Sequence, residues 1–298
     1  MIVITTPTGQ IGRQVLECVV ASNEPVRVIA RDPGHIPAQL RVRIEVVEGS
    51  HDEPDVVGRA FAGAETVFWL VPPDPRATSV DAAYVEFTRP ACAAFRQQGV
   101  ERVVGISALG RGTPWANKAG LVTASHKMDD LIAQSGVSYR AMTNPSFMDN
   151  LLRQIDPIKT QGVFSLPIDG DLRQPSACTR DIAATAARLL LDRAWTGVAS
   201  VPVLGPEDLS YNDMAGIMSE VLGRPIRFQR ISNDAYKARL MARGMSDAMA
   251  QANVDMWVGY DHGMDTAEPR TPANPTPTSF CQWCAEVLKP RLISGAPA

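Results

Sequence analysis

Residues 5–12 read Thr5-Thr6-Pro7-Thr8-Gly9-Gln10-Ile11-Gly12, between a short apolar run and a stretch with helical spacing. Such a turn can aim backbone N–H donors at an anion from a helix N-terminus, provided no side chain intervenes. Gly9 allows that approach, and Gly12 lets the helix pack against the preceding strand. Thr6 stands where the longer dinucleotide fingerprint has its first glycine. The turn points to a dinucleotide pyrophosphate held by Thr6, Thr8, Gly9, Gln10, Ile11 and Gly12. A turn that binds nothing is the plain alternative. Arg31 follows the apolar run 26–30, where an NAD site usually carries Asp or Glu for the ribose 2′-hydroxyl. A guanidinium there is a planar, bidentate clamp for phosphate. The expected cofactor is NADP(H), with Arg31 on its 2′-phosphate; a solvated arginine is the other reading.

Hydride transfer to a carbonyl needs a proton source. The common Tyr-x-x-x-Lys pair couples a phenol acid to an ammonium that lowers its pKa. Four residues beyond Tyr84, Tyr139, Tyr211, Tyr236 and Tyr260 stand Thr88, Thr143, Ala215, Leu240 and Met264, so the pair is absent. The stretch Ser125-His126-Lys127-Met128-Asp129-Asp130 offers substitutes. Met128, Leu131, Ile132 and Ser135 make a stripe that His126 and Lys127 flank. His126 could donate a proton at neutral pH, and Lys127 could hold the nicotinamide ribose; a solvated surface pair is the bland reading. His35 lies in a Gly/Pro loop. His262, in 259–263, belongs to a stretch that either caps a pocket or is plain surface. Met241, Met245, Met249, Met256 and Trp257 offer a soft apolar lining or simply core. Cys281 and Cys284 form a CxxC with no second Cys or His pair to complete a zinc site. Phe280, Trp283, Cys284, Val287 and Leu288 share helical spacing, so that segment reads as core.

These residues need a scaffold. Apolar runs at 2–6, 26–30, 43–47, 66–71, 102–106 and 137–142 read as strands. Helical patterns occupy 10–21, 82–98 and 121–134, with Gly99 placed to end the second. Strands apolar throughout, alternating with helices, imply a doubly wound parallel sheet of α/β class. Ligands in such sheets lie beyond the carboxyl ends of the strands. Val71-Pro72 should then run along the cofactor's ribose and pyrophosphate, with Ser107 and the segment Asn144, Pro145, Ser146 and Phe147 beside the nicotinamide. After residue 145 the rhythm loosens. Helices are expected at 179–191, 211–222 and 235–253, strands at 199–204 and 224–231, and an extended proline segment at 269–277.

The turn, Ala30-Arg31-Asp32-Pro33, the run Asn144-Pro145-Ser146-Phe147-Met148-Asp149-Asn150-Leu151 and the block Gly205-Pro206-Glu207-Asp208-Leu209-Ser210-Tyr211 resemble the NmrA-like atypical short-chain dehydrogenase/reductases. So does Gly223-Arg224-Pro225. The resemblance covers nearly the whole chain. It implies a Rossmann domain (1–145) and a smaller, discontinuous substrate-binding part (146–298), some of whose elements return to the sheet. It also implies a polar residue near the adenine, here His51 and Asp52. The family often has Arg-Pro where this chain has Asn144-Pro145, so any role of that arginine is lost.

The chain has 298 residues, 45% hydrophobic and 20% charged, enough to bury a core without staples. A net charge of −3 argues against a polyanion surface, so no nucleic-acid partner is expected. No run approaches the ~18–20 apolar residues of a membrane span. The first basic residue, Arg13, lies beyond the N-terminal apolar run, the reverse of a secretory leader. An odd count of 5 cysteines fits a reducing, cytoplasmic setting without metal. Of 29 basic residues only Lys118, Lys127, Lys159, Lys237 and Lys289 carry an ammonium, so any lysine mechanism has few candidates. The expectation is an NADPH-dependent reductase, monomer or homodimer, acting on a small, fairly apolar carbonyl, quinone, enone or imine, with Ser107, His126 and Lys127 as the catalytic candidates. The alternatives are a non-catalytic NADP-sensing regulator, as some NmrA-like proteins are, or an isomerase or lyase using the cofactor without net redox.

Overall fold

The computed structural model describes residues 1–271 and 276–294. Residues 272–275 of the expected proline segment lie outside them. The strands are β1 (Ile2–Ile4), β2 (Val26–Ala30), β3 (Glu45–Glu48), β4 (Thr66–Trp69), β5 (Arg102–Ala108), β6 (Ser138–Asn144), β7 (Ser146–Phe147), β8 (Val163–Leu166), β9 (Gln174–Ala177), β10 (Val198–Pro202), β11 (Asp208–Leu209) and β12 (Arg227–Arg230). The helices are α1 (Gln10–Ala21), α2 (Ala38–Arg41), α3 (Pro54–Phe61), α4 (Phe87–Gln98), α5 (Leu121–Gln134), α6 (Ile155–Gln161), α7 (Thr179–Leu191), α8 (Tyr211–Leu222), α9 (Asn233–Ala242), α10 (Asp247–Asp261), α11 (Phe280–Trp283) and α12 (Lys289–Ser294).

Two compact units form. The first comprises residues 1–108, 123–143 and 182–201; the second comprises 109–122, 144–181 and the described residues from 202 onward. The first holds a seven-stranded sheet ordered β10-β6-β5-β4-β1-β2-β3. β1 runs parallel to β2 and β4, β2 to β3, and β4 to β5. All of β1 and β4 is buried, as strands covered on both faces must be. Phe61, Trp69 and Phe95 fill one face of that core. This is the expected Rossmann-like α/β architecture.

The second unit is built on two small sheets, β11-β9-β7 and β12-β8. Its α8 opens with a capping box. Ser210 Oγ accepts from Asp213 N and Asp213 Oδ2 accepts from Ser210 N, both at 3.0 Å, so two orphan donors are satisfied reciprocally.

Several boundaries differ from expectation. The helix expected over 82–98 begins as a π turn, Ala82–Glu86. Pro90 lacks the N–H that would reach residue 86, and the preceding turn is wound wider. The helix expected over 235–253 is two helices. Gly244 takes a left-handed φ of +87° and Ser246 then caps α10, accepting from Met249 N at 3.2 Å. β5 and β6 each run two residues further than expected, so Ser107 and Asn144 lie within strands rather than after them.

Candidate functional site

The N-terminal turn departs from ordinary backbone geometry where its chemistry would require it. Thr6 has φ +51°, a left-handed conformation rare for a β-branched residue. It thus adopts the backbone of the glycine it replaces, and such an outlier motivates a functional reading. Its buried Oγ1 has no hydrogen-bond partner among the described residues. A Cβ on Gly12 would meet Thr6 O at 2.1 Å, so the fold itself demands glycine there. A Cβ on Gly9 would come no nearer than 3.4 Å to any protein atom, an ordinary contact. Nothing in the fold therefore requires Gly9, whereas a ligand approaching the backbone would.

Gly9 is the N-cap of α1, no side chain caps the helix, and its first turn carries no acidic residue. Uncapped N–H groups and the helix dipole favour an anion at that end. Thr8, Gly9 and Gln10 are exposed, while Ile11 and Gly12 are buried against the sheet. The residues present fit a dinucleotide pyrophosphate. Gly12→Ala is expected to cost roughly 2 kcal/mol of stability through the clash with Thr6. A urea titration equal to wild type would contradict that packing.

Arg31 is exposed directly after β2 and makes no ion pair among the described residues. Its neighbour Asp32 is occupied: Oδ1 accepts from Gly34 N at 2.8 Å, and Oδ2 lies 3.0 Å from His35 Nδ1. The carboxylate that could repel a phosphate is thus committed to its own turn. His51 is 6% exposed, its ring edge-on to Trp69 and Phe87 at 5.1 and 4.7 Å. Its Nε2 lies 3.0 Å from Leu70 O; a carbonyl only accepts, so Nε2 carries the proton. Burial, opposed by that bond, lowers its pKa to about 4. His51 fastens the segment leading to buried Val71 and exposed Pro72. The neighbouring Asp52 keeps a buried Oδ1 without a partner among the described residues.

The catalytic candidates divide. His126 does not flank the buried stripe of α5: it is 5% exposed, with Nε2 donating to Ala108 O at 3.1 Å. The inward face of α5 is partly polar, made by Ser125, His126 and Asp129, so an apolar stripe alone mislocates it. Lys127 is exposed and bound to Asp81, its Nζ 3.0 and 2.8 Å from the two carboxylate oxygens. Ser107 is buried, and its Oγ donates to Asp129 Oδ2 at 2.5 Å. Tyr139 donates from its hydroxyl to Asp129 Oδ1 at 2.6 Å. Periodicity could not find this serine–carboxylate–phenol cluster, because β5, β6 and α5 must first meet.

Asn144 and Pro145 are buried, and Leu109 N donates to Asn144 O at 3.2 Å. Ser146 and Phe147 form β7 and line an open pocket within the second unit. Leu151, Leu166, Pro175, Leu209, Met214 and Trp257 supply apolar walls, and no acidic or basic side chain lines it. Its polar groups are neutral, among them Gln174, Tyr211 and Ser176, whose Oγ is buried without a partner among the described residues. Of the Met-rich stretch only Trp257 reaches this pocket. Met241 is 44% exposed and Met249 is packed away. Cys281 is exposed while Cys284 is buried, so only half of the CxxC is core.

A family model described as NAD(P)H-binding matches residues 7–193. A (4-alkanoyl-5-oxo-2,5-dihydrofuran-3-yl)methyl phosphate reductase of Streptomyces griseus is 33% identical over 82% of this chain and 81% of its own. An NAD(P)H azoreductase of Xenophilus azovorans is 25% identical over 93% and 95%. Among solved structures, an Escherichia coli NADPH-dependent quinone oxidoreductase in complex with NADPH superposes with a TM-score of 0.79. It is 23% identical, covering 97% of this chain and 100% of that one. No helix among the described residues is long and apolar enough to cross a membrane.

Proposed function

The chain belongs to the NAD(P)H-binding family and is an oxidoreductase, and from that premise we propose an NADPH-preferring reductase acting on a small, uncharged, largely apolar acceptor. Quinones, enones, carbonyls and imines are the classes in view. The cofactor, when bound, supplies the hydride from C4 of its nicotinamide. The first unit's turn and Arg31 are the groups that would hold its pyrophosphate and 2′-phosphate. Ser107, near the carboxyl end of β5 in the same unit, would lie by the nicotinamide under the strand-end rule.

The observation that carries the substrate reading is the second unit's pocket. Its walls are apolar and its polar groups neutral, the composition of a small-molecule site. An ionised substrate group placed there would lose its hydration with no opposite charge to compensate. The missing Tyr-x-x-x-Lys pair left open a purely cofactor-sensing role; a chain 33% identical to a named reductase over most of its length favours turnover. The test is NADPH oxidation across neutral quinones, enones, aldehydes and imines beside carboxylated or sulfonated analogues. Turnover is expected on neutral members only. Met214→Asp, which buries a charge in the pocket, should lower kcat/KM about 100-fold and leave NADPH affinity unchanged. Cofactor binding without turnover on any compound overturns the reading.

A further inference from the structure

In the first unit, one buried carboxylate takes the protons of two hydroxyls. Asp129 is 4% exposed, Ser107 5% and Tyr139 1%. Ser107 donates to one carboxylate oxygen and Tyr139 to the other. Both Asp129 oxygens act as acceptors here, and a serine hydroxyl has one proton and two acceptor sites. The cluster is held closely: a Cβ on Gly105 would lie 2.3 Å from the Tyr139 hydroxyl, so only glycine on β5 leaves room for the ring. Residue 107 also stands near the carboxyl end of β5, the end where α/β sheets receive their ligand.

We propose that Asp129 is a positioning residue which turns the Ser107 hydroxyl proton inward, so that Ser107 meets the cofactor as a hydrogen-bond acceptor, reading the N–H of the nicotinamide carboxamide. This rests on the NADPH reading above and assigns Ser107 a different part from the one its residue type suggests. A serine beside a hydride acceptor would ordinarily stabilise the developing oxyanion by donating to it. Here that proton is already held by Asp129. His126 is committed in the same way, its Nε2 proton resting on the Ala108 carbonyl.

The test measures binding rather than turnover, by calorimetry with NADP⁺ and with its 3-acetylpyridine analogue. The analogue replaces the carboxamide by an acetyl group and so has no N–H to offer. Wild type is expected to prefer NADP⁺ by about tenfold, the worth of one such hydrogen bond. Ser107→Ala should bring the ratio to about one, and Ser107→Thr, which keeps the hydroxyl, should restore it. Asp129→Asn is isosteric, and its amide donates to Ser107 and turns the serine proton outward. Its ratio should also fall to about one or invert. If that variant does not fold, Asp129→Ala checks the same point without an amide. A merely structural Asp129 would lower the melting temperature and leave the ratio as in wild type, and that result overturns the proposal. So does a wild type that binds both compounds equally. Failure of wild type to bind either compound defeats instead the cofactor reading on which the proposal rests.

Discussion

Arg31→Asp is expected to reverse the preference between NADPH and NADH, changing the ratio of their affinities by two to three orders of magnitude. Arg31 leaves the carboxyl end of β2 exposed and without an ion-pair partner among the described residues, while Asp32 is bound to Gly34 N and His35. Under the proposed NADPH reading, this guanidinium would meet the ribose 2′ position. Contact between unit charges is worth from about 1 kcal/mol in bulk water to about 4 kcal/mol at an effective dielectric of 20. The substitution removes an attraction and adds a repulsion for NADPH, and it gives NADH a carboxylate acceptor for its 2′-hydroxyl. A combined change of about 3–4 kcal/mol corresponds to the expected ratio. Arg31→Ala should abolish the preference without creating an NADH site. Because the position is exposed, the wild-type preference should shrink at high salt. Fluorescence titration with both cofactors decides the matter, and equal affinity ratios in wild type and Arg31→Asp would remove Arg31 from the site.

What the sequence revealed was local, and what it concealed needed chain segments to meet. The turn from Thr5 to Gly12 is contiguous and its requirements are steric, so residue types nearly suffice; even Thr6 in place of glycine takes the glycine backbone. The alternation of apolar strands with amphipathic helices gave the fold class for a similar reason, since each element carries its own period. The α5 face failed that reading. A stripe of Met128, Leu131 and Ile132 marks one buried side, yet Ser125, His126 and Asp129 are buried as well. Polar burial depends on partners supplied by β5 and β6, such as Ala108 O and the Ser107 and Tyr139 hydroxyls. No periodicity encodes it. The second unit's pocket was hidden for the same reason. Its walls come from separate stretches of chain, among them Ser146–Met148, Leu166, Gln174–Ser176, Leu209, Met214 and Trp257, and the Met-rich stretch that looked like a lining is broken at Gly244 into two helices.

Stability should respond to pH in opposite senses through two buried groups, and single substitutions should expose each slope. Asp265 in the second unit is 1% exposed; burial, with the charge of Asp208 adding to it, raises its pKa from 3.8 to about 7. Between those values the folded state holds a proton that the unfolded state has released, so stability falls as pH rises. Three pKa units amount to about 4 kcal/mol. His51 in the first unit is the mirror case. Burial lowers its pKa from 6.5 to about 4, so the unfolded state binds the proton that the folded state refuses, and about 3 kcal/mol of stability is lost as pH falls through that window. Over the shared range from pH 4 to 6.5 the two contributions oppose each other, and the wild-type urea midpoint should vary little from this pair. Asp265→Asn removes the falling slope. The amide Oδ1 still accepts from Gln174 Nε2, which lies 3.2 Å from Asp265 Oδ1, while the new N–H takes the place of Oδ2, which has no partner among the described residues. Setting the cost of that orphan N–H against the relieved charge leaves a net gain of about 2 kcal/mol at pH 8. Stability of this variant should rise from pH 4 to 6.5. His51→Gln, able to keep a donor toward Leu70 O, should do the reverse: its stability falls steadily from pH 4 to 7. A pH profile for Asp265→Asn that parallels wild type would show that Asp265 is already ionised in the folded chain, and a His51→Gln profile that still weakens below pH 6 would place the acid-side loss on other groups.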